Sequence, residues 1–232
     1  MNSSDSAMWE RLWRSAGIQF VVLFVVAWII YGDQPKVGAS ADKLVSFYDG
    51  DRTRILIATV IMGLALLNLL WFAAAITSTL RDAGQGGWGT AATAASAALG
   101  TVFFVTITLG AALAYSIAGS GNETFASGLN DVTWALFVIA SFPAAMLIMA
   151  GSFGLWRAEI ISSAMFSAGV AAVILVLLGG TTWASDGFWA PDGAYSRFVV
   201  PIVGVVWVVA VSGVLLRRPY AEGAPKPAVS AP

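Results

Sequence analysis

The sequence predicts an all-α fold: a polytopic membrane helix bundle with six transmembrane helices and both termini in the cytoplasm. Hydrophobic residues make up 58% of the 232 residues and charged residues 11%, whereas about a quarter of a soluble domain is charged. The mean hydropathy is +0.80. The apolar residues also collect in long uninterrupted runs, which is typical of helices that cross a bilayer.

The composition excludes several classes of function. The chain has no cysteine and no histidine, which excludes disulfides, cysteine nucleophiles, histidine bases, histidine-ligated haem and typical zinc sites. We therefore expect no cofactor and no metal. The net charge is −1 and there is no basic run, so nucleic acid is not an expected partner. No predicted span contains Asp, Glu, Lys or Arg, which disfavours proton-coupled transport.

The chain begins with a segment, residues 1–15, that we expect to lie in the membrane interface. Its apolar residues fall on one side of a helix, with charges opposite; they are Met8, Trp9, Leu12 and Trp13. The first span follows at residues 16–31 and is short. Ala39-Ser40-Ala41 resembles a signal-peptidase site. The charged stretch between that site and the apolar run favours an uncleaved first span.

The second span, residues 55–80, is the clearest crossing, because Arg54 and Arg81 flank a run without a charge. As a helix this run reaches roughly 39 Å, enough for a hydrocarbon core of about 30 Å. Asn68 lies near its middle. Since an amide in hydrocarbon needs a partner, we expect Asn68 to bond a threonine of the third span; a ligand contact is the alternative.

The remaining spans complete a membrane domain over residues 16–218. They cover about 90–118, 132–156, 160–183 and 198–216. A continuous helix over 132–183 would measure roughly 78 Å, far too long for one crossing. The break must therefore fall at the charged residues Arg157 and Glu159. Pro143 is expected to kink the fourth span, and the Pro/Ala-rich tail, residues 219–232, is expected to be disordered.

The orientation follows from the distribution of lysine and arginine, which favours the cytoplasmic side. With the N-terminus inside, the inner segments carry Arg11, Arg14, Arg81, Arg157, Arg217, Arg218 and Lys226. The outer loops then carry Lys36, Lys43, Arg52, Arg54 and Arg197. This balance places both termini in the cytoplasm.

Small residues at helical spacing predict packing seams in the third and fifth spans, which we place near the bundle centre. In the third span the positions are Ala94, Ala98, Thr101, Val105, Thr108, Ala112 and Tyr115, and in the fifth they are Ser163, Ser167 and Ala171. The alternative is that Thr101 and Thr108 line a polar pathway. Candidate ligand-binding residues are Asn68, Thr101, Thr108, Tyr115, Trp183 and Trp189. The aromatic residues of loop 184–197 are otherwise typical of a membrane-interface belt.

A cluster of charges is predicted on the outer face. Its members are Asp49, Asp51, Arg52, Arg54, Asp186, Asp192 and Arg197. Paired carboxylates there could bind a divalent cation or act as acid and base on a lipid-like substrate. The simpler interpretation is a set of solvated loop charges.

One block of the first half, from Phe47-Tyr48 through Arg54 to Leu70-Trp71-Phe72 and Leu80-Arg81, resembles small multispan membrane proteins of actinobacteria with no assigned function. The resemblance implies a bacterial cytoplasmic membrane and brings no activity or site residues.

Three functions are compatible with this pattern. The first is a non-catalytic protein that handles a small apolar or amphiphilic molecule in a bundle cavity, as a transporter or carrier would. The second is an accessory or assembly subunit that docks other membrane proteins through its small-residue faces. The third is a lipid-modifying enzyme that uses the outer carboxylates. In each case the lipid bilayer of the cytoplasmic membrane is a partner.

Overall fold

The computed structural model describes residues 13–217, and this part of the chain is helical without strands. Its α-helices are α1 (Ala16–Tyr31), α2 (Ala41–Tyr48), α3 (Arg52–Asp82), α4 (Gly86–Ala112), α5 (Glu123–Arg157), α6 (Ser163–Gly179) and α7 (Val200–Arg217). A π-helical turn, Leu113–Ile117, and a 3-10 turn, Ala118–Ser120, extend α4. A second π-helical turn, Tyr195–Val199, leads into α7, after a 3-10 turn at Gly187–Trp189. The predicted interfacial segment, up to residue 12, and the predicted disordered tail lie outside the described residues.

Four helical segments are long and apolar enough to cross a membrane: Arg52–Asp82, Gly86–Ser120, Glu123–Arg157 and Tyr195–Arg217. Helices α1 and α6 are also apolar but have 16 and 17 residues. A fold that contains four such helices indicates a membrane protein, as the composition predicts.

The six apolar helices form a ring in chain order. Helix α1 packs on α3, α3 on α4, α4 on α5 and α5 on α6, and α7 closes the ring between α6 and α1. Helix α5 is the most buried of the four long segments. Helices α4 and α6 are members of this ring, and each packs mainly against its two neighbours in it, so the expectation that the third and fifth spans lie near the bundle centre is wrong.

The predicted packing seams point away from the bundle. In α4, Ala94, Ala98, Thr101, Val105, Thr108 and Tyr115 are exposed, and the buried face instead carries Gly89, Ala92, Ala95, Ser96, Leu99 and Gly100. In α6, Ser163, Ser167 and Ala171 are likewise exposed. The two threonine hydroxyl groups need no neighbouring helix because they bond their own backbone: Thr101 Oγ1 donates to Ala97 O at 2.9 Å and Thr108 Oγ1 to Phe104 O at 2.7 Å. Such internal bonds let threonine face lipid at little cost.

Helix α5 begins at Glu123, well before the predicted span at 132. Asn122 caps it, since the Asn122 side chain accepts a hydrogen bond from Phe125 N at 3.2 Å; this is the usual role of asparagine at a helix start. The helix runs unbroken through Pro143 and ends at Arg157. Glu159 then adopts a left-handed conformation with φ of 56°, which turns the chain toward α6.

The segment between the first two predicted spans contains helix α2. Its Leu44 and Tyr48 side chains are buried, and they form a second core with residues at the adjoining ends of α3, α4 and α5. The other members of this core are Ile55, Leu113, Ala114, Ala118 and Ala126. Helix α2 therefore covers one end of the ring.

Candidate functional site

Two cavities lie inside the ring of helices. The first, about 80 Å³, is bounded by α1, α3, α4 and α5 near the end that α2 covers. The second, about 90 Å³, lies deeper and reaches α7. Phe24, Phe103 and Phe137 contribute to the walls of both. The two spaces are therefore neighbouring parts of one aromatic-lined interior.

The second cavity exists partly because α7 presents a glycine to it. A Cβ atom added at Gly204 would meet no heavy atom within 4 Å. The remaining wall is largely aliphatic and aromatic, including Leu69, Leu99, Leu147, Ile148, Trp207 and Val208. Cavities lined in this way stay dry and accept apolar groups. The interior is thus suited to a hydrocarbon chain and unsuited to an ion.

A groove of about 240 Å³ lies between α1 and α7, next to this interior. It shares Phe24 with both cavities, Trp28 and Arg197 with the first, and Pro201 and Val205 with the second. Other groove residues are strongly exposed: Ile29 is 72% and Ile202 59% accessible. Because these apolar side chains face the position of lipid in a membrane, the groove is open to the lipid side of the bundle.

Arg197 is the charged residue at the junction of the groove and the first cavity. Its side chain is 18% exposed and forms an ion pair with Asp33, whose side chain is 82% exposed. The pair joins Nη2 of the guanidinium to one carboxylate oxygen, and the guanidinium carbon lies 5.4 Å from the ring centroid of Phe198. A guanidinium has five N–H donors, so this single contact leaves donors for another acceptor.

The end of the first cavity is closed by a buried polar network centred on Asn130, which is fully inaccessible. Asn130 Oδ1 accepts from Tyr48 Oη at 2.9 Å and from Gln34 Nε2 at 3.3 Å. Its Nδ2 donates to the carbonyls of Pro35 and Lys36, both at 3.2 Å. The network fastens the chain after α1 onto α5, and Gln34 belongs to the cavity wall.

The pKa of Tyr48 is raised by this environment. Burial in the second core is the main cause, and the neighbouring Tyr31 adds to it. The phenol therefore stays neutral in its role as hydrogen-bond donor.

The predicted ligand-binding residues lie outside these cavities and the groove. Asn68 Nδ2 donates to Leu64 O of its own helix at 2.9 Å, so the expected bond to a threonine of the third span is wrong. Tyr115 is exposed, with the guanidinium of Arg52 4.7 Å from its ring centroid. The indole groups of Trp183 and Trp189 donate to carbonyls of the turn after α6. Thr101 and Thr108 face outward, as described above.

The predicted outer charges do not assemble into one centre in the described part of the chain. Asp51 pairs with Arg54 at 2.6 Å, and Arg197 pairs with Asp33. Asp49 and Asp186 are exposed and Asp192 is half-buried. Residues 13–217 contain no group of three His, Cys, Asp or Glu side chains placed to hold a metal. This geometry gives no support to carboxylate catalysis.

Several site residues were missed by the sequence analysis. Phe24, Phe103 and Phe137 are ordinary apolar residues in the sequence, and no spacing distinguishes them from other core positions. Asn130 precedes the predicted fourth span, and no sequence pattern connects it with its partners Gln34 and Tyr48.

The fold and site indicate a helical membrane protein with an apolar interior and a neighbouring groove between α1 and α7. Comparison of the chain with protein-family models, curated proteins and solved structures gives no match.

Proposed function

We propose that this is a non-catalytic, multi-pass protein of the cytoplasmic membrane that binds a small apolar or amphiphilic molecule in its helix-bundle cavity, as a transporter or carrier does. The observation that carries the proposal is the lateral groove between α1 and α7, which shares walls with both inner cavities. Ligand pockets are typically apolar clefts with a few polar groups that orient the ligand. Here the polar groups include Arg197 and Gln34.

The proposal includes six crossings with both termini in the cytoplasm. Helices α1 and α6, at roughly 24 Å and 26 Å, approach the hydrocarbon thickness, and flanking residues can complete each crossing. Helix α1 also contributes Phe20, Phe24 and Ala27 to the bundle interior, which supports its retention as an uncleaved span. Six crossings place both ends of the chain on one side.

The absence of cysteine in the chain permits a direct test of this topology. Single-cysteine variants Ser120→Cys and Ser185→Cys would lie in proposed outer loops, and Ala83→Cys in a proposed inner loop; all three positions are exposed. A membrane-impermeant maleimide applied to intact cells should label the first two and not the third. Labelling of Ala83→Cys alone would invert the proposed orientation, and labelling that separates residues 120 and 185 would contradict six crossings.

Ligand entry can be measured at Gly204. In the Gly204→Cys variant the thiol would face the second cavity. The control is Gly213→Cys on the same helix, which lies outside the cavities. A Cβ atom added at either position has open space around it. With the protein in phospholipid nanodiscs, a small apolar methanethiosulfonate should modify both thiols. An added long-chain amphiphile at ten times its dissociation constant should slow the reaction at residue 204 by roughly tenfold. No slowing at residue 204, or equal slowing at residue 213, would contradict the proposal.

A second candidate, an accessory subunit of a membrane complex, is favoured by the outward small-residue stripe of α4. In lipid, such stripes allow helices from different proteins to approach closely. Replacement of Ala98 by Leu should then remove a larger species from native gels of mildly solubilised membranes. Gly63→Leu on α3, where added atoms meet nothing within 4 Å, is the matched control. Unchanged migration of the Ala98→Leu protein would remove this candidate.

A further inference from the structure

We propose that the bound molecule is an anionic amphiphile whose headgroup is held by Arg197 while its hydrocarbon chain enters the cavity through the α1–α7 groove. This inference depends on the proposed function and adds the chemical class of the ligand.

The location of Arg197 is the first step. It belongs to the wall of both the groove and the first cavity, and the other groove residues are apolar: Phe24, Val25, Trp28, Ile29, Phe198, Pro201, Ile202, Val205 and Val206. A chain in this groove therefore meets hydrocarbon along its length and a guanidinium at one end. That pattern matches a molecule with one charged end.

The sign of the headgroup follows from the burial of the two partners. Arg197 is 18% exposed and Asp33 82%, so the cation faces the interior and the carboxylate faces outward. A carboxylate or phosphate that enters along the groove meets the guanidinium first. Arginine binds these groups with two parallel hydrogen bonds, and the contact with Asp33 engages a single nitrogen.

Asp33 then acts as an internal competitor for the guanidinium. Its exposed carboxylate can move into water when the ligand headgroup takes its place, and the guanidinium then stays paired with the headgroup, so that no buried charge is left alone. Removal of Asp33 should therefore strengthen ligand binding, while removal of Arg197 should weaken it. If the ion pair is purely structural, the substitutions of Asp33 and of Arg197 should change the strength of ligand binding in the same direction, because each one breaks the pair.

The test uses the full chain with Gly204→Cys, in phosphatidylcholine nanodiscs at pH 8. The probes are dodecanoate, dodecanol and dodecylamine at equal mole fractions in the bilayer, with acetate as an anion that lacks a chain. Protection of the thiol at residue 204 is measured against probe concentration. Dodecanoate should protect at a mole fraction roughly 10- to 100-fold below that of dodecanol, as expected for hydrogen bonds to a charged group, and acetate should not protect.

Two substitutions in this background test the role of Arg197. Arg197→Gln should remove the advantage of dodecanoate over dodecanol, and Asp33→Asn should increase it. The melting temperature of each variant verifies folding; if Arg197→Gln does not fold, the direction of the Asp33→Asn effect still decides.

Each contrary result has a distinct meaning. Equal protection by dodecanoate and dodecanol, or stronger protection by dodecylamine, overturns the anionic ligand and leaves the proposed cavity function standing. Weaker dodecanoate protection in Asp33→Asn overturns the competition that we infer. Protection by acetate alone overturns the requirement for a chain. Absence of protection by every probe overturns the proposed function itself.

Discussion

Asn130 and Asn68 are both side-chain amides in long apolar helices, and the structure predicts opposite consequences when each is replaced by alanine. Asn130 is fully buried and joins α2, α5 and the segment after α1. Asn68 bonds only its own helix at Leu64 O among the described contacts. Comparison of the two variants therefore distinguishes an amide that links several elements from an amide whose hydrogen bond lies within its own helix.

The cost of Asn130→Ala can be estimated group by group. Gln34 keeps its bond to Thr133 at 2.5 Å, and the carbonyl of Pro35 keeps the Trp134 indole at 2.8 Å. The Tyr48 hydroxyl, on a side chain with 0% exposure, keeps the Tyr31 and Gln34 side chains as hydrogen-bonding neighbours. Asn130→Ala still removes the bonds to Tyr48, Gln34, Pro35 and Lys36, and each lost bond costs roughly 0.5–1.5 kcal/mol.

We therefore expect Asn130→Ala to lower the free energy of unfolding by about 3 kcal/mol, or the melting temperature in detergent by roughly 6–12 °C. Asn68→Ala should change the melting temperature by less than about 2 °C. Tyr48→Phe should cost about 1 kcal/mol. The double variant with Asn130→Ala should be more stable than the sum predicts, because both substitutions remove the same Tyr48–Asn130 hydrogen bond, which is lost only once. Equal losses for the two asparagines, or strict additivity in the double variant, would refute this reasoning.

Two further predictions concern packing and pH. Gly169→Ala should destabilise by about 1–3 kcal/mol, because its Cβ would overlap the Ser152 side chain, whose Oγ accepts from the Trp207 indole at 2.9 Å. The matched Gly63→Ala, with nothing within 4 Å, should be neutral or stabilising in the same melting assay; similar losses would contradict the packing. Since the pKa of Tyr48 is raised above its ordinary 10.0, the native state retains a proton that the unfolded state loses above about pH 10. Stability should hold below that pH and fall above it by up to about 1.4 kcal/mol per unit, and Tyr48→Phe should reduce this slope between pH 10 and 11.5; identical slopes would argue against it.

The helical class and the membrane character could be predicted from composition and run length alone, because both depend on properties that do not require tertiary contacts. Helix α3 illustrates this: the charges at Arg54 and Arg81 bracket the predicted run, and the helix spans Arg52–Asp82. Helices in segments of mixed polarity were harder to predict. The sequence analysis placed no helix at α2, because its eight residues fall short of the ten to twelve that usually distinguish a helix from a shorter run.

The direction of a helix face could not be predicted from spacing. Helix α4 is rich in small residues all round, so Ala92 and Ser96 on its buried face look much like Ala94 and Ala98 on its exposed face. The sequence analysis also assumed that a polar side chain in lipid must bond another helix. Thr101 and Asn68 instead donate to the backbone carbonyl four residues earlier in their own helices. Cavities are harder still, because the open space near Gly204 depends on the placement of five helices.

An experimental density map of the full chain in lipid nanodiscs tests the central claim most directly. We expect elongated non-protein density that starts beside Arg197, passes between α1 and α7, and ends among Phe24, Phe103 and Phe137. A map in which side chains fill this interior, or in which α1 and α7 close against each other without such density, would contradict the proposed binding of an amphiphile.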